Sequence, residues 1–315
     1  MREGNPGARR LRLAVFLVAG VALLVYVGIV AFLALSETSM VYVSAGDGRR
    51  GRPVPETDAA IPWDTLRVRA ADGAPVFLLV SRVDTSATRP WAIFFHGNAG
   101  MVGSRSSVAR YALLRDAGFN VLAPEYRGYG AAASSGPVSE AGVHADARAA
   151  LAYLTDSLRL RSWRVLVYGW SLGSGPAARL AADHDLGALV TEGGFTSLPD
   201  VGAELYPWVP VAWIMRNRFD NVGLAHRISE PWIVFHGRRD SEIPFAHGEA
   251  IALAGPNARL VPLDADHDDG VIGDRGVALG ELRTLAETLR LMRTAAVGCA
   301  LRAAGCRAAR GSQRQ

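Results

Sequence analysis

The sequence predicts an α/β protein: a mostly parallel sheet flanked by helices on both faces, with a small cap insertion and one N-terminal transmembrane helix. Three observations predict it. Short apolar runs ending in Gly-rich turns alternate with Ala-rich helical stretches through most of the 315 residues, as in chains of strand–helix units. Those runs are continuously apolar, which suits strands covered on both faces. Ahead of them, Leu13 to Leu35 is 23 residues without a charge.

The N-terminal twelve residues hold Arg2, Arg9, Arg10 and Arg12 against a single Glu3. As a helix, residues 13–35 would span about 35 Å, enough for a hydrocarbon core of roughly 30 Å. A cleavable signal peptide is the competing reading, but it needs an apolar region of only about 7–15 residues and a small-x-small site. This run is longer, ends Phe32-Leu33-Ala34-Leu35 and has no following Cys, which favours an uncleaved anchor. The positive-inside bias then leaves the N-terminus cytoplasmic and the remainder on the outer side, although Arg49, Arg50 and Arg52 pull the other way. Residues 36–62, rich in Gly, Arg, Pro and Ser, read as a linker.

From residue 63 to about 295 the strand and helix patterns form one domain. Leu66–Arg69 and Val76–Val83 read as an opening hairpin. Strands are then expected at Trp91–Phe95, Asn120–Ala123, Val165–Tyr168, Leu189–Thr191, Trp232–Phe235 and Leu260–Leu263. Helices are expected at Ala141–Leu158, Ala177–Ala182 and over 280–305. An insertion at about 195–229 interrupts the alternation. Residues 296–315 form a second basic tail, its last nine residues expected to be disordered, and this tail holds the two cysteines, Cys299 and Cys306. On one helix these would stand about 10 Å apart, too far for a disulfide. Two unrelated thiols and a bridge closing a non-helical loop both remain open, and no His lies nearby to complete a zinc site.

Composition excludes some chemistry. All 34 basic residues are Arg, so lysine Schiff-base and lysine general-base mechanisms are ruled out. The positive excess sits in the two tails and the middle of the chain is net acidic, which argues against a nucleic-acid face. Contact with anionic lipid headgroups is the more natural use of such tails.

The sharpest motif is Gly169-Trp170-Ser171-Leu172-Gly173, directly after the β-rich Arg164–Tyr168 and before a helical stretch. A serine on a tight strand-to-helix turn needs small flanking residues, and the turn projects its hydroxyl at the sheet edge. His96-Gly97-Asn98-Ala99-Gly100 ends an earlier strand, and its glycines let backbone N–H groups approach a ligand. The N–H groups of Asn98 and Leu172 are therefore the candidate oxyanion hole. Asp240 follows the strand ending at Phe235, and His267 follows the strand ending at Leu263. Serine, acid and histidine thus occur in the chain order that accompanies a serine on such a strand-to-helix turn. His96 precedes the serine and reads as a loop-holding residue, with His236 repeating its His-Gly turn. His144, His184, His226 and His247 read as packing or surface residues. Asp264, Asp266, Asp268 and Asp269 do not form a calcium loop, because an EF-hand starting at Asp264 needs Gly at 269 and Glu at 275 and finds Asp and Arg.

On these motifs, together with Tyr126-Arg127-Gly128-Tyr129-Gly130, His236-Gly237 and the N-terminal anchor, residues 65–292 resemble the membrane-anchored α/β-hydrolase-domain proteins. That group includes serine hydrolases and protein depalmitoylases. Glu125 stands where the group usually has Asp, Asp266 where Gly is common, and Asp268 where Asn is usual. The resemblance implies the α/β-hydrolase fold and a Ser171–His267–Asp240 triad that needs no metal or organic cofactor.

The expected activity is hydrolysis of acyl esters or thioesters through an acyl-enzyme intermediate. A peptidase or amidase on the same triad is the alternative enzyme, and a non-catalytic binding protein of the same fold the alternative class. Within the insertion, Tyr206-Pro-Trp-Val-Pro-Val-Ala-Trp-Ile-Met215 carries no charge. It reads either as a short buried cap helix from near Pro210, or as an apolar cap that receives an acyl chain, with Trp213 against the chain, and touches the bilayer.

Overall fold

Strands form where the apolar runs lie. They are β1 (Asp64–Arg69), β2 (Pro75–Ser81), β3 (Trp91–Phe95), β4 (Asn120–Pro124), β5 (Val165–Trp170), β6 (Ala188–Glu192), β7 (Trp232–Gly237) and β8 (Ala258–Leu263). The structure is a computed structural model that describes residues 6–46, 62–84 and 89–291. The eight strands make one sheet of order β1-β2-β4-β3-β5-β6-β7-β8. β2 pairs antiparallel with both β1 and β4, and every pairing from β4 to β8 is parallel.

The period-2 geometry of a strand explains why the runs of β2 to β7 are almost wholly apolar, while the edge strands β1 and β8 carry exposed residues. In β3, Ile93 and Phe95 enter one core while Ala92 and Phe94 enter the other; in β5, Val165 and Val167 part in the same way from Leu166 and Tyr168. The first core is closed by α3 (Glu140–Ala152), α4 (Ser174–Asp183) and α8 (Phe245–Ala254). The second is closed by α2 (Arg105–Ala117) and by a helix over residues 275–291. Helix starts follow capping chemistry. Ser104 and Ser139 accept the N–H groups of Ser107 and Gly142, and Gly118 ends α2 in the left-handed region. The residues beyond 291, including Cys299 and Cys306, and residues 47–61 lie outside the described residues.

The N-terminal helix α1 (Pro6–Val41) is longer than its apolar run. Ser36 to Met40 contains no Gly or Pro to stop a helix, and Glu37 finds partners on the folded domain. The segment read as a linker therefore starts as helix, and residues 42–46 pack onto the domain, with Tyr42 buried in the first core. Between β6 and β7 the expected insertion forms a cap of three short helices, α5 (Leu198–Leu205), α6 (Val211–Ile214) and α7 (Asn221–Ala225).

Candidate active site

The carboxyl ends of β3, β5, β7 and β8 lie along one edge of the sheet, and each delivers one part of the site. Ser171 directly follows β5 with φ of 52°, a left-handed conformation that costs a non-glycine residue energy. Its flanks must be small. A Cβ on Gly169 would run into the backbone of Gly173 and Ser174, and one on Gly173 into the carbonyl of Phe95.

His267 Nε2 lies 2.9 Å from Ser171 Oγ, and His267 Nδ1 lies 2.7 Å from Asp240 Oδ2. Asp240 Oδ1 accepts the N–H groups of Glu242 and Ile243 at 3.0 and 2.8 Å. Burial alone would push this carboxyl up, but the hydrogen bond and charge of His267 and the N–H of Ile243 outweigh it and hold it below the usual carboxylate range. Asp240 is then an ionised acceptor, so Nδ1 carries the imidazole proton and Nε2 accepts the Ser171 hydroxyl. Burial likewise works to lower His267, yet the hydrogen bond and charge of Asp240, with Glu242 and Glu192 farther off, raise it above an ordinary imidazole. Glu242 Oε2 stands 3.8 Å from Nε2.

On the β3 side, Asn98 and Leu172 border the same cavity as Ser171. Gly97 packs directly against Ser171, where a Cβ on it would lie in van der Waals contact at 3.4 Å. The Asn98 carbonyl accepts the Tyr129 hydroxyl at 3.0 Å and the Ser44 N–H at 3.4 Å, which fixes the peptide that follows Asn98. His96 is fully buried and holds the loop: Nδ1 donates to the Gly97 carbonyl at 2.8 Å, and Nε2 meets Glu125 at 3.0 Å. His236 does similar work beside Asp240, donating through Nε2 to the Ile243 carbonyl at 2.9 Å.

Beyond Ser171 opens a cavity of about 490 Å³, within the usual range for small-ligand sites. The cap supplies much of its lining, including Leu205, Val209, Ile214 and Met215. One expectation needs correction. Trp213 is 91% exposed and does not line the cavity: on the short α6, Val211 and Ile214 take the inward face, and Trp213 is left outside.

Two residues with no sequence signal complete the site. Glu192 ends β6 fully buried and receives Arg110 Nε and Nη2 at 2.8 and 2.7 Å, the Tyr168 hydroxyl at 2.6 Å and the Val271 N–H at 2.9 Å. Arg110 lies over the Trp170 ring at 3.8 Å and donates to the Asp268 carbonyl at 3.0 Å. This knot pins the loop that carries His267 to the strand that carries Ser171.

A family model described as the alpha/beta hydrolase fold matches residues 90–213. An uncharacterized protein of Mycobacterium tuberculosis is 30% identical over 276 residues, covering 86% of this chain and 95% of its own length. The chain belongs to the α/β-hydrolase-domain family. Among other similar proteins, Protein bem46 of Schizosaccharomyces pombe is 32% identical over 184 residues, which cover 56% of this chain and 60% of that protein. The human alpha/beta hydrolase domain-containing protein 17B is 32% identical over 159 residues, covering 50% and 53%. Of solved structures, the Pyrococcus furiosus esterase Pf2001 superposes with a TM-score of 0.59 at 19% identity, covering 78% of this chain and 98% of the esterase. At that identity the likeness shows the α/β-hydrolase fold.

Proposed function

We propose that the chain is a membrane-anchored serine hydrolase that cleaves acyl esters or thioesters. The observation that carries this reading is the hydrogen-bonded chain from Ser171 through His267 to Asp240, standing at an apolar cavity. Nε2 of His267 takes the Ser171 proton as Oγ attacks the acyl carbonyl, and the N–H groups of Asn98 and Leu172 receive the oxyanion. The ionised Asp240 stabilises the imidazolium. His267 returns the proton to the leaving alcohol or thiol; it then deprotonates a water that attacks the acyl-Ser171 ester, releasing the acid and restoring the serine.

His267 must be neutral to act as base, and its pKa is raised. Purified full-length protein is therefore expected to hydrolyse p-nitrophenyl esters with kcat/KM that falls as pH drops through a midpoint above about 6.5, the ordinary imidazole value. Glu242→Gln removes a carboxylate that favours the imidazolium, so it should move that midpoint to lower pH. No ester turnover, or a profile flat from pH 5 to 8, overturns the reading.

Helix α1 serves as the anchor, with the N-terminus cytoplasmic and the hydrolase domain outside. Its apolar span is long enough to cross a membrane, and most of that span is left exposed by the domain. Glu37, just beyond that run, supports an uncleaved helix, because it is a buried acceptor for Arg216 and Asn217. Alkaline phosphatase fused after residue 315 should be active, and a cytoplasmic reporter fused there silent. The opposite pair of results reverses the orientation.

A further inference from the structure

We propose that α1 is part of the substrate site as well as the anchor: its last turns wall the acyl cavity, which opens to the bilayer and takes a long acyl chain from it. The proposal rests on the hydrolase reading and goes beyond it.

Leu33, Ala34, Glu37, Met40 and Val41 all border the cavity that contains Ser171. Their spacing of three and four residues places them along one side of the helix. The cap closes the cavity opposite, through Leu205, Tyr206 and Met215. Without α1 one side of the cavity would be missing.

The wall is held on both flanks. Glu37 accepts the N–H groups of Arg216 and Asn217 at 2.9 and 2.7 Å, Asn217 Nδ2 at 3.0 Å and Arg216 Nε at 3.1 Å. The Tyr42 hydroxyl donates to Asn217 Oδ1 at 2.8 Å. These bonds tie α1 to the cap. On the other flank Ser44 ties it to the oxyanion loop, with its hydroxyl on the Ala99 carbonyl at 2.8 Å and its N–H on that of Asn98. One helix thus bridges the element that covers the acyl chain and the loop that faces the carbonyl.

The bilayer side follows from where the cap meets α1. The Tyr26 hydroxyl donates to the Trp208 carbonyl at 3.0 Å, and Tyr26 lies about 13 Å along the helix from Leu35, inside the uncharged run. The cap tip therefore sits beside a part of α1 that is in lipid when α1 spans the membrane. Leu205, Trp208 and Trp213 are 64%, 51% and 91% exposed there, and no charge lies between Tyr206 and Met215. This apolar surface is continuous with that of α1, and lipid is the partner that suits both. The exposed position of Trp213 then belongs to membrane contact.

The test uses full-length protein and a p-nitrophenyl ester series from acetyl to palmitoyl. Filling the wall with Ala34→Trp should shorten the preferred chain by several carbons. At about fourfold per methylene, the ratio of long-chain to acetyl kcat/KM then falls at least tenfold. If that variant does not accumulate, Ala34→Leu is read by the same ratio, with a smaller fall of about fourfold expected. A ratio that rises with chain length in the wild type and is unmoved in the variant overturns the wall and leaves the hydrolase standing. A wild type with no turnover on any ester is failure of the hydrolase reading itself. For the bilayer mouth, Trp213→Arg should slow hydrolysis of a palmitoyl ester embedded in phosphatidylcholine vesicles about fivefold more than the same ester in detergent micelles. Equal effects in vesicles and micelles overturn uptake from the bilayer.

Discussion

Ser171→Ala is expected to lower ester turnover by on the order of 10⁵–10⁶ and to abolish covalent labelling by a fluorophosphonate. The effect is large because in the proposed mechanism Ser171 Oγ forms the acyl bond, and Ala leaves His267 Nε2 with no hydroxyl to deprotonate. His267→Ala should cost nearly as much, since serine and base act as a unit, whereas Asp240→Asn should cost about 10⁴ by presenting the wrong imidazole tautomer. Residual rate in each variant should reflect substrate binding and the proposed oxyanion N–H groups of Asn98 and Leu172. The thermal midpoint of Ser171→Ala should stay near that of the wild type, because the strained turn is kept and only one hydrogen bond is lost. Wild-type turnover or labelling in Ser171→Ala would refute the mechanism.

The second large effect is on stability. Arg110→Met should destabilise the domain by about 3–5 kcal/mol, because it leaves the Glu192 carboxylate buried without its cation. Both side chains are about 1% exposed, so water cannot replace the lost partner, and the Tyr168 hydroxyl and Val271 N–H are neutral donors only. The double variant Arg110→Met, Glu192→Gln removes the charge along with its partner and should recover a good part of the loss. Urea unfolding of the detergent-solubilised chain measures both. A loss below about 1 kcal/mol in the single variant would mean that water reaches the pair, contrary to its burial. The labelling rate of Ser171 should fall in Arg110→Met as well, since Arg110 also holds the Asp268 carbonyl next to His267.

Each of the eight strands overlaps a run that is legible in the sequence; for β2 to β7 the reason is that a strand buried on both faces has to be apolar at nearly every position, whereas the edge strands β1 and β8 are partly exposed. Ser171, Asp240 and His267 are legible for a related reason. In a parallel sheet all the carboxyl ends share one edge, so a reactive residue just past a strand has its place known before any packing is considered. Glu192 and Arg110 carry no such mark. They are 82 residues apart, and a Glu at a strand end or an Arg within a helix is ordinary until the fold buries both together. Trp213 lies outside the cavity because the side a four-residue helix turns inward is set by what packs on it, not by its own sequence. The part played by α1 was hidden most deeply. Its apolar run determined a helix long enough for a membrane, but Glu37 meets Asn217 across 180 residues of sequence. A carboxylate at the end of an apolar helix reads as a solvated terminus, and only the docking of the cap makes it a buried acceptor that holds the helix against the site.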